Sequence, residues 1–112
     1  MPPKKHDLEK ILASLDSSLD LTIHACQTIE RLDRENRTAL LVGDIDEVEC
    51  NKMEAVIREL VNTIIPTAKS LLLAIEIGGV FEGDTRVATL QRNLQVFIRQ
   101  HLPPSGYRED PI

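Results

Sequence analysis

The sequence predicts an all-α protein built as a long antiparallel helical hairpin with a shorter third helix, which together form a three-helix bundle. Three observations predict it. Apolar residues recur every three or four positions in three segments of the chain. Glycines separate these segments at Gly43 and at Gly78-Gly79. The apolar share of 42% is nearly all Leu, Ile, Val and Ala, whereas aromatic residues make up 3%. A chain of 112 residues is sufficient for one domain, which we place at residues 1–102.

The first helix is predicted over residues 8–42. Its apolar positions step by three or four along one stripe, and neither Pro nor Gly interrupts the segment. At about 1.5 Å per residue this helix would be about 50 Å long. The stripe consists of Leu8, Leu12, Leu15, Leu19, Cys26 and Ile29, with Thr22 at the one position between Leu19 and Cys26.

A tight turn and a second helix over residues 44–77 follow. Gly43 can adopt the left-handed conformation that ends a helix, and Asp44 with Glu47 three residues later predicts a capping box. Pro66 lies inside the second apolar run, where it either kinks or ends the helix because it lacks an N–H. We favour a kink, since residues 44–77 would then match the first helix in length.

The third helix is predicted over residues 85–102 with Asp84 as its N-cap, and residues 103–112 are predicted to be a flexible tail. This helix would be about 27 Å long, so it can cover about half of the hairpin. Because it starts after Gly78-Gly79, we expect it to cover the end far from Gly43. The charged residues 33–37 near the tip are expected to be solvated. The expected result is a three-helix core with a projecting two-helix tip.

Charge and hydropathy limit the function. A formal net charge of −5 repels phosphate backbones, so nucleic-acid binding is not expected. No signal peptide is expected, and no uninterrupted apolar run approaches the ~18 residues of a membrane span, so we predict a cytoplasmic protein without membrane insertion. Cys26 and Cys50 lack CxxC spacing and are predicted to be buried or half-buried thiols in a reducing compartment.

No pattern favours catalysis, a metal or a cofactor. His24 resembles a phosphotransfer histidine only in being on a helix, and a surface or boundary histidine is the better interpretation. His6 and His101 share no metal-ligand spacing with each other or with the cysteines. The acidic cluster Asp44, Asp46, Glu47 and Glu49 is explained by helix capping, because it lacks the glycine and the ligand spacing of a calcium loop.

A small helical enzyme of the chorismate mutase type is the nearest catalytic alternative, since such enzymes hold a dianionic substrate between basic residues. Arg31, Arg34 and Arg37 step by three along one side of the first helix. They alternate with acidic residues, and such pairs usually form a solvated face. We therefore predict that the protein is not an enzyme.

Two apolar sets are candidate binding surfaces. The third helix carries anchors in the register that helix-in-groove complexes use, although the same residues suit a core; these are Val87, Leu90, Leu94, Phe97 and Ile98. The poorly covered tip is the candidate self-association site, with Val42, Ile45 and Val48. The run Leu71-Leu72-Leu73 must be covered either by the third helix or by a partner.

Residues 29–60, with the sequence IERLDRENRTALLVGDIDEVECNKMEAVIREL, resemble the central hairpin of the FlgN/FliT-type flagellar export chaperones. In that family a helix carrying L..E...AL precedes a Gly-Asp turn and a helix of the form L......K..L...L. Those places are held here by Leu32, Glu35, Ala39-Leu40 and Gly43-Asp44, and then, in the same order but at different spacing, by Val48, Lys52, Ile57 and Leu60.

The resemblance implies a small cytoplasmic chaperone for type III secretion. Such a protein binds hook-associated or filament-cap subunits before export, and its C-terminal helix carries the client-binding face. The counterpart here is residues 85–102, although this chain is shorter after the hairpin. The alternative that the residues leave open is a structural or coiled-coil subunit of a larger helical assembly. Homo-oligomerisation is compatible with both.

Overall fold

Three α-helices form the described part of the protein, which in this computed structural model is residues 5–101. Helix α1 spans Lys5–Val42, α2 spans Glu47–Gly78 and α3 spans Thr85–His101. The predicted all-α hairpin with a shorter third helix is therefore confirmed. Residue 102 of the predicted third helix and the predicted tail, residues 103–112, lie outside the described residues.

The turn between α1 and α2 ends one helix at Gly43 and starts the next at Glu47. Gly43 has φ +84°, in the left-handed region that glycine adopts without strain. The N–H groups of Asp44 and Ile45 both donate to the Ala39 carbonyl, at 2.9 and 3.4 Å. These two residues therefore belong to the turn that closes α1.

The predicted capping box of Asp44 and Glu47 is wrong by two residues. The N-cap of α2 is Asp46, whose carboxylate accepts a hydrogen bond of 2.9 Å from the Glu49 N–H. The Glu49 carboxylate accepts one of 3.4 Å from the Asp46 N–H in return. The motif is the predicted one, but the turn uses Asp44 to end α1 and leaves Asp46 to begin α2.

Helix α2 continues through Pro66, so this proline does not end it. Pro66 is exposed, while Ile65 and Ala68 on either side are buried in the core. A proline inside a helix removes one i to i−4 hydrogen bond. Burial of the neighbouring apolar side chains holds the helix together across that position.

The second turn also uses two local devices. Gly79 is left-handed at φ +65°, and the N–H groups of Gly79 and Val80 bond to the last carbonyls of α2 at Glu76 and Ile75. Asp84 accepts a hydrogen bond of 2.9 Å from the Arg86 N–H. The predicted N-cap of α3 is confirmed.

The core lies where all three helices meet. Helix α3 runs parallel to α1, because Arg86 near its start contacts Asp16 and Asp20, while His101 at its end contacts Asp33. The hairpin tip beyond α3 projects as expected. The buried apolar residues of this core are Leu19, Ile23, Cys26, Ile29, Ile57, Val61, Ile65, Ala68, Leu71, Ile75, Leu90, Leu94 and Phe97.

The first turns of α1 also extend past α3, which the length comparison did not predict. Leu8 and Ile11 are about half exposed there. The radius of gyration is 18.0 Å, whereas about 13 Å is typical of a compact domain of 100 residues. The molecule is elongated, and a large share of its apolar surface has no covering element among the described residues.

Two residues of the charged segment 33–37 are buried, so the expectation that this segment is solvated is wrong for them. The Asn36 side-chain amide donates to the Cys50 carbonyl at 3.1 Å and approaches the Cys50 sulfur at 3.3 Å. Asp33 is 6% exposed. Both face α2 and α3 rather than solvent, and the Asn36 contact fixes the register of α1 against α2 near the tip.

Replacing Asp46 with Ala tests the observed cap. Loss of the capping carboxylate should lower the free energy of unfolding by about 1 kcal/mol. Asp44→Ala is the matched control, and it should change the free energy by less than about 0.5 kcal/mol because Asp44 caps no helix. Urea unfolding followed by circular dichroism measures both. A larger loss for Asp44→Ala would contradict this assignment.

Candidate functional site

The structure places three of the five predicted α3 anchors in the protein core. Leu90, Leu94 and Phe97 are 0%, 7% and 1% exposed. Val87 is half-buried against the same core, and Ile98 is 40% exposed on the outer side of α3. These side chains do not form one accessible face. A partner could contact the buried three only after α3 had separated from the hairpin.

Arg86 attaches the start of α3 to α1. Its Nη2 donates to Asp16 and Asp84 at 2.6 Å each, and its Nη1 donates to Asp20 at 2.9 Å. The guanidinium also lies 5.7 Å from the centre of the Phe81 ring. Three carboxylates around one guanidinium make a cluster in which the bonds are charge-assisted. We call this set of residues the Arg86 cluster.

The cluster changes the ionisation of its members. Hydrogen bonds from the Arg86 side chain, and then from its backbone N–H, hold the pKa of Asp84 below its ordinary value of 3.8. The hydrogen bonds with Asp84, Asp16 and Asp20 raise the pKa of Arg86. The ionised forms of Asp84 and Arg86 are therefore favoured while the cluster is intact.

The end of α3 has a second polar contact with α1. The His101 Nε2 lies 3.3 Å from the buried Asp33 carboxylate, and Arg37 approaches the same oxygen at 3.3 Å. The His101 ring also packs edge-on against Phe97 at a centroid distance of 6.2 Å. Helix α3 is thus attached at both ends by polar groups and along its middle by apolar burial.

The predicted self-association residues at the tip are partly accessible. Val42 and Val48 are 65% and 60% exposed, whereas Ile45 is half-buried. Ile45 lines a shallow groove of about 350 Å³ together with the apolar Leu32, Ala39 and Met53 and the polar Glu35, Asn36 and Glu49. The tip therefore joins a longer apolar surface that runs along the hairpin.

That surface lies on the side of the hairpin away from α3. A second groove, of about 450 Å³, continues along it and is lined by Ala25, Thr28, Leu32, Leu60 and Thr63 among others. Neither groove contains an α3 residue. We define the open face by residues in helical register with these: Ser14, Ser18, Leu21, Ala25, Thr28 and Leu32 of α1, and Met53, Val56, Leu60, Thr63, Thr67 and Ala74 of α2.

The open face is apolar or small at every one of these positions, and charge enters it only at the tip groove, where Glu35 and Glu49 also line the wall. Leu21, Val56 and Leu60 on it are 68%, 51% and 39% exposed. Charged residues lie along the edges of the open face. Arg31 and Glu35 lie on α1, and Lys52 and Glu59 lie on α2. A contiguous apolar surface of this kind on a folded protein commonly marks a binding site.

Helix α2 is apolar beyond what its packing requires. By length and composition alone it could cross a membrane, since an 18-residue window has a mean hydropathy of 1.5. The core helix of a soluble protein can pass the same test, but such a helix is mostly buried, and 22% of this window is buried here. Part of that excess apolar surface is the α2 side of the open face.

The other residues considered for chemistry are accounted for by simple contacts. His24 is exposed, and Arg31 pairs with Glu35 at 3.8 Å on the surface. Within residues 5–101, no group of three or more His, Cys, Asp or Glu side chains is arranged to hold a metal. Cys26 is fully buried, and its burial, assisted by the nearby Glu30 carboxylate, raises the pKa of its thiol to about 11. Cys50 is also a buried free thiol.

Comparison with known proteins yields no match to a protein family, a curated protein or a solved structure. The resemblance of residues 29–60 to the flagellar chaperones therefore stays an expectation from the sequence.

The sequence analysis did not identify the open face. Its signal is present, because Leu21, Ala25, Thr28 and Leu32 step by four, three and four along α1. They form a second stripe beside the main one. Two small residues, Ala25 and Thr28, between the two leucines keep this stripe weakly hydrophobic, so its position opposite α3 becomes evident only from the packing.

Removing the guanidinium of the Arg86 cluster should weaken the attachment of α3 in a pH-dependent way. Arg86→Gln should lower the melting temperature at pH 7. Because the pKa of Asp84 is depressed in the folded state, its contribution is complete above the ordinary pKa of 3.8 and is lost as the pH falls below it. The difference between variant and wild type should therefore shrink towards pH 2.

Arg92→Gln, on the exposed surface of α3, is the matched control for charge. It should melt close to the wild type at both pH values. Thermal unfolding followed by circular dichroism measures all three proteins. An equal effect of Arg86→Gln at pH 7 and pH 2 would show that the cluster contributes packing rather than charge.

Proposed function

We propose that this protein is a non-enzymatic, cytoplasmic binding protein that contacts another protein chain through the open face of its α1–α2 hairpin. The observation that carries the proposal is the apolar, partly exposed surface that the open face forms from Leu21 to Leu32 on α1 and from Met53 to Thr63 on α2. Its groove has the shape that an amphipathic helix fills, with apolar walls from two helices. Burial of its large side chains would contribute about 25 cal/mol per Å² of apolar area.

The sharpest form of the proposal is a flagellar export chaperone of type III secretion. Its support is the resemblance of residues 29–60, which implies binding of hook-associated or filament-cap subunits before export. The chaperone would hold a helical segment of such a subunit and keep it unassembled. Neither a cofactor nor nucleic acid takes part in this activity.

Two binding modes are available to such a chaperone. In the first, the client helix occupies the open face while α3 stays in place. In the second, α3 leaves the hairpin and exposes Leu90, Leu94 and Phe97 to the client. The first mode requires less rearrangement, because the second must break the Arg86 cluster and expose buried apolar surface.

A structural subunit of a larger helical assembly is the second candidate. It is favoured by the exposed apolar residues at both ends of the hairpin, such as Leu8 and Ile11 at one end and Leu41 and Val42 at the other. A long surface of this kind suits permanent burial by neighbouring helices. A chaperone surface needs to be covered only while a client is bound.

Binding of purified hook-associated and filament-cap subunits tests the chaperone form. Isothermal titration calorimetry should detect a complex that Leu60→Glu weakens at least tenfold, or about 1.4 kcal/mol, because it places a charge in the apolar groove. Leu73→Glu is the matched control: it makes the same change in the same helix at an exposed position outside both grooves. It should bind like the wild type.

Hydrogen exchange with the same subunits separates the two modes. Binding on the open face should protect amides of α1 and α2 and leave residues 85–101 unchanged. Binding through α3 should change the protection of residues 85–101. If neither subunit binds, the chaperone form is wrong, and a stable purified complex with other helical chains would then support the structural subunit.

A further inference from the structure

We propose that a second copy of this chain occupies the open face, so that two hairpins pack face to face in antiparallel orientation and form a four-helix core. This inference rests on the proposed function, because it names a partner for the same surface. The two α3 helices would lie on the outer sides of the dimer, where they already cover the opposite side of each hairpin.

The dimensions of the open face fit a dimer. Its α2 side runs uncharged from Met53 to Ala74, which is about 32 Å at 1.5 Å per residue. Two adjacent helices, each about 10 Å across, make it about 20 Å wide. Each copy would therefore contribute roughly 600 Å², and the total of roughly 1,200 Å² is the lower limit of specific protein interfaces.

The absence of acidic and basic side chains in the middle of the open face favours a copy of the same chain over a foreign partner. Complementary charges usually give foreign complexes their specificity, and the groove in the middle of the face is lined by no Asp, Glu, Lys or Arg. A two-fold axis through a charged surface would bring like charges together, whereas an axis through this middle part lets the surface meet itself without repulsion, and an antiparallel arrangement keeps Glu35 and Glu49 of the two tip grooves apart. The flanking residues Arg31 and Glu35 on α1, and Lys52 and Glu59 on α2, present both signs of charge at each edge.

The acidic tip determines the orientation. Asp44, Asp46, Glu47 and Glu49 cluster at one end of the hairpin. A parallel pair of hairpins would place two such clusters side by side. An antiparallel pair separates them by most of the length of α2, about 48 Å for its 32 residues, which is several Debye lengths at physiological salt.

Small residues allow the two hairpins to approach closely. Ser14, Ser18 and Ala25 repeat on α1, and Thr63, Thr67 and Ala74 repeat on α2, at helical spacing. Leu21 lies between the small residues of α1, whereas Val56 and Leu60 precede those of α2. In an antiparallel pair the large residues of one α2 would face the small residues of the other, so that the two helical surfaces interlock as ridges and grooves.

Sedimentation velocity of the full chain at several concentrations tests the dimer. The wild type should show a concentration-dependent dimer of about twice 12.6 kDa. Leu60→Glu should raise the dimer dissociation constant about 100-fold, because each copy places a carboxylate in the interface. Leu73→Glu should leave that constant unchanged. Circular dichroism of both variants confirms that helicity is retained.

A cross-link provides a second test that does not depend on a destabilising change. Thr63→Cys places a thiol on the open face, and Asn62→Cys places one on the exposed side of the same helix as the control. The buried Cys26 and Cys50 are expected to react slowly in the native protein. Mild oxidation should give a disulfide-linked dimer at least tenfold faster for Thr63→Cys.

The possible results separate this inference from the proposed function. A wild type that stays monomeric overturns the dimer, as does a dimer that Leu60→Glu does not weaken or equal cross-linking of the two cysteine variants. A monomer that binds a secretion subunit through the open face overturns the dimer and supports the proposed function. Sedimentation with phosphatidylcholine vesicles in place of self-association would assign the face to a membrane and overturn both.

Discussion

Helix α3 covers only one of the two sides of the α1–α2 hairpin, and this limit determines which apolar residues of the hairpin stay exposed. Two packed helices bury one another only along their line of contact. On either side of that line, some apolar residues of both helices stay exposed. Helix α3 covers the side that contains Ile23, Val61 and Ile65. The side with Leu21, Val56 and Leu60 has no covering helix within residues 5–101. Because α3 has 17 residues and α1 has 38, both ends of the hairpin also extend past it.

Polar contacts determine which side of the hairpin α3 packs against and where it lies along the hairpin axis. Its apolar stripe alone could slide by one turn along the hairpin with modest loss, since apolar packing is weakly directional. The Arg86 cluster at its start and the Asp33 contact at its end remove that freedom, because a shift of one turn moves the guanidinium about 5 Å from its carboxylates. These charged groups therefore fix the register of α3 along the hairpin.

The elements of the fold were predictable because their signals are local. Helical periodicity, the glycine at position 43 and the cap at Asp84 each act within a few residues, and each is present in the structure. The exact start of α2 was not, since Asp44 and Asp46 are equally good caps in sequence and the hydrogen bonds that close α1 decide between them. The burial of Asp33 and Asn36 depends on contacts with distant segments, so it could not be read from a charged stretch.

The candidate site was harder to predict for the same reason. The anchors on α3 and the residues of the open face have similar spacing, and only the packing shows that Leu90, Leu94 and Phe97 are occupied while Leu60 and Val56 are accessible. Periodicity identifies which residues share a helix face. It does not identify which helix covers that face, because coverage depends on how long the third helix is and where its polar contacts attach it.

The size of the open face also bears on how binding would be controlled. An interface of roughly 1,200 Å² lies at the weak end of specific complexes, so a dimer formed through it would dissociate at low protein concentration. A foreign helix could then displace the second copy by mass action. It would do so by forming additional ion pairs with the flanking Arg31, Glu35, Lys52 and Glu59, which the dimer does not need. On these two proposals, self-association and partner binding would be two states of one surface. The copy would protect the apolar groove from non-specific contacts, and a partner with matched charges would exchange for it without unfolding of α3.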